Sequence, residues 1–289
     1  MKKLSLIVFF ILASINLATA DVNIGVLAKR GAKKAILKWG EMGKYLSSKV
    51  GQKVNIIPLK FVDIEKAVTS KKIDFLLANS AFFVEMEKKY GLYPVATLIN
   101  SRKGKALKTF GGVIIAKKGS AIKSLGDLKG KKFMIVKKSS FGGAHMAWRE
   151  MLDAGVNPET DTAAFLEGKK HDNVVLAVKN GAVDAGTVRT DTLERMEDEG
   201  KIKMDDFQIV NPKNDDFPFV RSTILYPEWP MAALPSVDKA VVKKIKSALI
   251  SLNKDSSAAK AAKIIGWTAP LDYGPVRECL KKIRYGAFK

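Results

Sequence analysis

Strands and helices alternate along this sequence in two successive series, and that order predicts an α/β protein of two lobes. Three observations carry the expectation. Short apolar runs rich in Val, Ile and Leu are separated by amphipathic helical patterns, the signature of sheets covered on both faces. Residues 101–112 interrupt the alternation with Lys, Gly and Ser and the pair Gly111-Gly112. A second series then runs to about residue 206, after which strand-like segments lead back. The division expected is 21–105 with 215–289 as one lobe and 106–214 as the other, joined by a two-segment hinge with a ligand cleft between the lobes.

The first series opens with Val22 to Leu27, a buried strand. Ile36, Trp39, Gly43, Leu46 and Val50 then recur at helical spacing until Gly51. Val54 to Leu59 is a strand, Val62 to Ser70 a short helix, and Ile73 to Leu77 a strand apolar enough to be covered on both sides. Asn79-Ser80 caps a helix that stops at Gly91, and Tyr93 to Ile99 is the next strand; together these suggest a parallel sheet. The second series has strands at 113–116, 133–136, 163–166 and 183–188 and helices at 143–154, 171–179 and 193–199. Residues 207–210 and 220–225 read as returning strands. The remaining C-terminal part reads as helical, with an apolar stripe of Val241, Val242, Ile245, Ala248, Leu249 and Leu252.

The amino terminus carries an export signal. Lys2 and Lys3 form the positive start, Leu4 to Leu17 the apolar core, and Ala18-Thr19-Ala20 the small-residue cleavage site, with Asp21 expected first after cleavage. The apolar stretch is short for a bilayer span of about 20 residues. Nothing later resembles a membrane span, so a soluble, exported monomer is expected. Cys279 is the one cysteine, which excludes an internal disulfide. Without the signal the chain has 48 basic and 29 acidic residues, a net charge of +19, and only eight of the basic residues are Arg. That field attracts anions. The scattered lysines and the lack of an Arg-rich stripe or base-stacking motif argue against nucleic acid.

The segment Ser124-Leu125-Gly126-Asp127-Leu128-Lys129-Gly130-Lys131-Lys132-Phe133 is similar to one that opens the second lobe of type II periplasmic binding proteins. Ser139-Ser140-Phe141-Gly142-Gly143, then His171-Asp172 and Gly181 to Gly186, follow in an order that resembles the phosphonate/phosphate/phosphite solute-binding group. Val188 to Glu194, Ser222 to Pro230 and Gly266 to Tyr273 are similar to the variant found as the periplasmic sensor domain of some histidine kinases, tetrathionate sensors among them. The resemblance spans the chain after the signal. It implies two lobes closing on a ligand and an ABC importer permease or a sensor histidine kinase as partner. No cofactor, no metal and no catalysis are expected.

The candidate ligand residues follow from helix beginnings. Ser139, Ser140, Phe141 and Gly142 sit at a strand-to-helix turn, where free backbone N–H groups and the helix dipole cradle an oxyanion. The same residues also suit an ordinary N-cap. Asn79 and Ser80 occupy the matching junction in the first lobe, outside the carboxyl end of a strand. Ala28-Lys29-Arg30 forms the loop after the first strand, where its two cations, Lys29 and Arg30, are either ligand contacts or solvated charges. His171 matches a ligand-contacting histidine of the phosphonate-binding relatives, and His145 reads as packing. Arg189 is placed either to grip an oxyanion bidentately or to form an ion pair between lobes. Tyr226 lines the cleft or belongs to a rigid hinge turn. Pro227-Glu228 stands where aminophosphonate binders carry an Asp-containing turn, which argues against a zwitterionic ligand.

Two His, one Cys and no Cys-x-x-Cys, Gly-x-Ser-x-Gly or phosphate-binding Walker pattern leave little for an enzyme to use. The function expected is capture of a small oxyanion of phosphorus or sulfur for an ABC importer. The alternative is an accessory receptor that presents the same ligand to a sensor kinase.

Overall fold

A computed structural model describes residues 20–289 of the chain. The signal segment, apart from Ala20, lies outside the described residues. The chain begins with β1 (Val22–Leu27), α1 (Ala32–Val50), β2 (Val54–Leu59), α2 (Ile64–Thr69), β3 (Phe75–Leu77), α3 (Ser80–Tyr90) and β4 (Tyr93–Arg102). Helix α1 buries Trp39, Met42, Leu46 and Val50 and ends where Gly51 takes φ 73°, a left-handed turn that costs glycine little. Asn79 caps α3 by accepting the Phe82 N–H. The interruption at 101–112 holds two short strands, β5 (Lys105–Leu107) and β6 (Thr109–Phe110).

The second series comprises β7 (Gly112–Lys117), β8 (Lys132–Ile135), α4 (Met146–Asp153), β9 (Ala164–Glu167), α5 (His171–Lys179), β10 (Ala185–Arg189), α6 (Thr192–Asp198) and β11 (Phe207–Val210). The chain returns through β12 (Tyr226–Pro227) and continues as β13 (Pro230–Ala233), α7 (Lys239–Ile250), α8 (Ser257–Ala262), β14 (Ile264–Thr268) and α9 (Gly274–Lys282).

These strands make two sheets. The first runs β14-β4-β13-β3-β1-β2, with β5 on β4, and the second runs β11-β7-β10-β8-β9. Both are mixed, which corrects the parallel sheet expected from the alternation. Strand β13 lies antiparallel between β3 and β4, and β7 lies antiparallel between β10 and β11. Each inserted strand arrives by a crossing between lobes, so its direction is set by the hinge. A two-stranded ribbon joins the sheets, with Tyr226 opposite Phe110 and Pro227 opposite Thr109.

Three further expectations need correction. Residues 220–225 form no strand; Ser222 accepts the Ile114 N–H and donates to the Val210 carbonyl through its hydroxyl, tying the segment to the second sheet. That contact holds Ser222 against β7 and β11. The C-terminal part is not wholly helical, since β13 and β14 complete the first sheet. The helix expected from Gly143 begins as a wide turn at Phe141–His145, with bonds five residues apart, before α4 continues it.

That wide turn needs its glycines. A Cβ on Gly143 would stand 2.5 Å from Cγ2 of Val136 and 2.9 Å from Oγ of Ser140. Val136 is β-branched and has little freedom to yield. Gly143→Ala should therefore lower stability by about 1–3 kcal/mol, read as a lower urea midpoint at unchanged slope.

Candidate functional site

A cavity of about 370 Å³ opens at the carboxyl ends of β1 and β4. Because β13 runs antiparallel to both neighbours, β4 points the same way as β3 and β1, and their ends meet at one edge. This is the edge at which α/β sheets receive ligands. Among the described residues on its wall, only Arg189 comes from the second lobe. Lys29 and Arg30 enter from the loop after β1, and Lys34 and Lys38 from the first turns of α1. Leu98, Asn100 and Arg102 share one face of β4, two residues apart, as strand geometry requires. Glu228 and Trp229 supply the hinge side.

The centre of this site is a fully buried carboxylate among cations. The Arg189 guanidinium grips Glu228 at 2.5 and 3.5 Å, and Asn100 donates to the same carboxylate at 3.0 Å. Arg189 also faces the Phe110 ring at 4.2 Å and approaches Asp191 at 3.4 Å. Arg102, from the first lobe, reaches Asp191 of the second at 3.4 Å. Burial alone would raise the Glu228 carboxyl, but the Arg189 and Arg102 charges outweigh it and hold the group below its ordinary range. The Nε atoms of both arginines are buried and face the Asp191 carboxylate at 3.4 Å without hydrogen-bond geometry, so Asp191 holds the two guanidinium groups together.

Two lysines add uncompensated charge. Lost hydration, followed by repulsion from Arg189, Arg102, Lys38 and Arg30, pulls the Lys29 ammonium down to about 7, although the residue keeps an open path to solvent. Burial and Arg102 bring Lys38 down to about 8. Their Nζ atoms lie 5.1 Å from the Trp229 ring and 5.0 Å from the Trp39 ring. The wall is therefore cationic with aromatic sides.

The sequence-derived candidates divide around this cavity. Arg30 and Arg189 stand on its wall. His171 lies just behind it: Nδ1 accepts the Arg189 backbone N–H at 3.2 Å, which leaves the proton on Nε2. Burial, then the nearby Lys29 and Arg189 charges, push this imidazole down to about 3, so it is a neutral donor at physiological pH.

The other candidates lie off the wall. Tyr226 is fully buried in the ribbon that joins the sheets and packs edge-on to Phe141 at 5.0 Å, the hinge position that was the alternative to the cleft. Phe141 belongs to the same hinge cluster, with Phe110 at 6.1 Å. Ser80 donates to the Pro227 carbonyl at 2.7 Å and fastens α3 to the hinge, while Asn79 serves as a cap. Ser140 makes no cap bond, and Ser139 and Ser140 are half-buried. Gly142 lies against Phe110 and beside the Arg189 Cβ, so the turn flanks the hinge one layer from the cavity. The sequence reading named Lys29 only as part of the loop beside Arg30, and it missed Lys38, Asn100, Arg102 and Glu228 as site residues.

A family model for the phosphonate periplasmic substrate-binding protein of ABC transporters matches residues 24–272. The chain belongs to that family. Its members are periplasmic substrate-binding proteins, which work with a permease. The chain is 33% identical over 264 residues to the tetrathionate sensor histidine kinase TtrS of Salmonella typhimurium, covering 91% of this chain and 43% of that protein. It thus spans less than half the length of this curated relative. Among solved structures, a Xanthomonas citri protein bound to ATP superposes with a TM-score of 0.72 at 17% identity, covering 93% of this chain and 97% of that one. PhnD1 from Prochlorococcus marinus, in complex with methylphosphonate, gives 0.66 at 17% identity, covering 91% and 98%. These likenesses establish the two-lobed fold. Among the described residues no helix is long and apolar enough to cross a membrane.

Proposed function

We propose that the chain is exported, with its signal cleaved after Ala20, and captures a small oxyanion in the β1–β4 cavity without transforming it. Delivery to an ABC importer is the reading that family membership favours. The observation that carries the ligand class is the charge balance of the wall: Lys29, Arg30, Lys34, Lys38, Arg102, Arg189 and Lys263 face Glu228, the single lining carboxylate among the described residues. A zwitterion or cation would meet repulsion there, whereas an anion of phosphorus or sulfur would relieve it. Among the described residues no nucleophile with a neighbouring base stands on the wall, since His171 is held by Arg189 and Cys279 is buried on the inner side of α9.

The test is a thermal-shift series with phosphate, phosphite, methylphosphonate, sulfate, thiosulfate and tetrathionate. A true ligand at a hundredfold excess over its Kd should stabilise the protein by about 2.7 kcal/mol, or about 5–10 °C for a chain of this size. No shift with any of these anions would refute the proposal.

A second reading has its own support. The likeness to TtrS covers nearly the whole chain but only part of that protein, so the domain could present its anion to a membrane sensor kinase. Stimulation of a kinase by the loaded protein, with no transport through a permease, would favour this reading over delivery.

A further inference from the structure

Helices α1, α7 and α8 form one layer over the first sheet. Their inner sides bury Trp39, Met42, Leu46, Ile245, Leu249 and Ala259 in a common core. Their sequences carry five lysines on α1, four on α7 and one on α8, against a single acid, Glu41. Lys44 pairs with Glu41 at 2.7 Å, which removes even that acid from the face. Among the described residues Lys49, Lys239, Lys243, Lys244 and Lys246 pair with no carboxylate, and all are exposed. A groove of about 420 Å³ between α1 and α7 is lined by Lys49, Lys243, Lys244, Ser247, Ala248 and Ser251.

The opposite side of the same sheet behaves differently. There Lys89 pairs with Glu65, Arg277 with Glu87, Lys281 with Glu278 and Lys282 with Asp153. The three helices thus carry ten lysines against one acid, whereas α2, α3 and α9 on the other side carry six basic and four acidic residues, so the one-signed face is not a uniform property of a basic protein. Its cations are all lysines, compact and strongly hydrated, without the planar fork that matches individual carboxylates. Such a face suits a layer of phosphates better than a specific acidic protein socket. Exposed Ile36, Leu37 and Ile250 lie on the same helices and offer shallow apolar contact.

We propose that the α1–α7–α8 face docks the protein on an anionic phospholipid surface, with Lys49, Lys243, Lys244 and Lys246 meeting headgroup phosphates. Lys34 and Lys38 continue α1 into the cavity wall, so docking holds the cavity rim beside the membrane. The inference stands independently of which anion the cavity takes.

Co-sedimentation of the protein with vesicles tests it. The parent should bind vesicles containing phosphatidylglycerol at low salt and release at high salt, and should ignore pure phosphatidylcholine. A variant with Lys49→Gln, Lys243→Gln, Lys244→Gln and Lys246→Gln should lose about fivefold in partition for each lysine neutralised. A control with Lys117→Gln, Lys118→Gln, Lys129→Gln and Lys132→Gln, exposed positions on the second lobe, has the same net charge and should bind like the parent. Equal loss in both variants would overturn the face, leaving only total charge. Equal binding to phosphatidylcholine would overturn the electrostatic basis. Failure of the parent to bind phosphatidylglycerol vesicles would also overturn the proposal and leave the face to an acidic protein partner.

Discussion

Glu228→Ala should lower the stability of the ligand-free protein by about 3–5 kcal/mol, because it strips a buried arginine of its carboxylate. Glu228 is 0% exposed and Arg189 is 9% exposed, so water cannot replace the lost partner cheaply. Arg102 and Arg189 would then repel each other with only Asp191 between them. The expected remedy is an anion. Sulfate or phosphate should restore the variant far more than it stabilises the parent, since the oxyanion takes the place of the missing carboxylate. Calorimetry with and without each salt measures both effects. A variant as stable as the parent, or equal salt effects in the two proteins, would sink the idea.

The reciprocal change separates structure from binding. Arg189→Met should cost a comparable amount of stability, because it leaves the Glu228 carboxylate buried with Asn100 as its one remaining hydrogen-bond donor. No anion should restore it. Combining Arg189→Met with Glu228→Gln removes both charges and should be less damaging than the sum of the single changes, the usual sign of a coupled pair. In the native site Glu228 therefore neutralises part of the cationic charge around it. The ion pairs that it and Asp191 make join residues of the two lobes.

Much of the architecture was legible in the sequence, because it rests on local patterns. The helical period of α1, the Asn79 cap and the glycine stops at Gly51 and Gly91 place elements without reference to the rest of the chain. Strands β13 and β14 were not legible. The first begins at Pro230, and the second shifts register beside Gly266, so neither shows a clean two-residue alternation. They exist because open edges of the first sheet receive them. The pattern at 220–225 misled for the converse reason: the hydroxyls of its neighbouring Ser222 and Thr223 serve bonds to the second sheet without a ladder of their own.

The site was less legible than the fold, because its charges come from places where charges are ordinarily solvated. Lys29 sits in a loop, Lys38 on a lysine-rich helix, and Arg102 at the edge of the hinge linker. One signal was available. Asn100 and Arg102 follow Leu98 on one face at the end of an apolar strand, an arrangement that points a cation at the sheet's edge. Reasoning from helix beginnings found the turns that flank the hinge. The cavity instead gathers side chains at strand ends.

Anion affinity should fall as pH rises from about 7 to 9, and Lys29 should account for most of the fall. The groups facing it are Arg30, Lys38, Arg102 and Arg189, with neutral His171 behind and Glu228 already engaged by Arg189. Its folded value of about 7 lies below the ordinary lysine value of 10.5, so between these limits the unfolded chain holds more protons than the folded one. Ligand-free stability from this group therefore rises with pH across that window. A bound anion reverses the preference, favours the ammonium and draws in a proton, so affinity falls by up to about tenfold per pH unit. Lys38, at about 8, extends the same trend upward. Isothermal titration in buffers of different ionisation heat counts the protons taken up. Lys29→Met should bind more weakly at pH 6 and lose most of the pH slope. A flat profile in the parent would show that Lys29 is already charged in the empty site. Because stability and affinity are expected to move in opposite directions over the same window, a general effect of pH on folding cannot imitate the result.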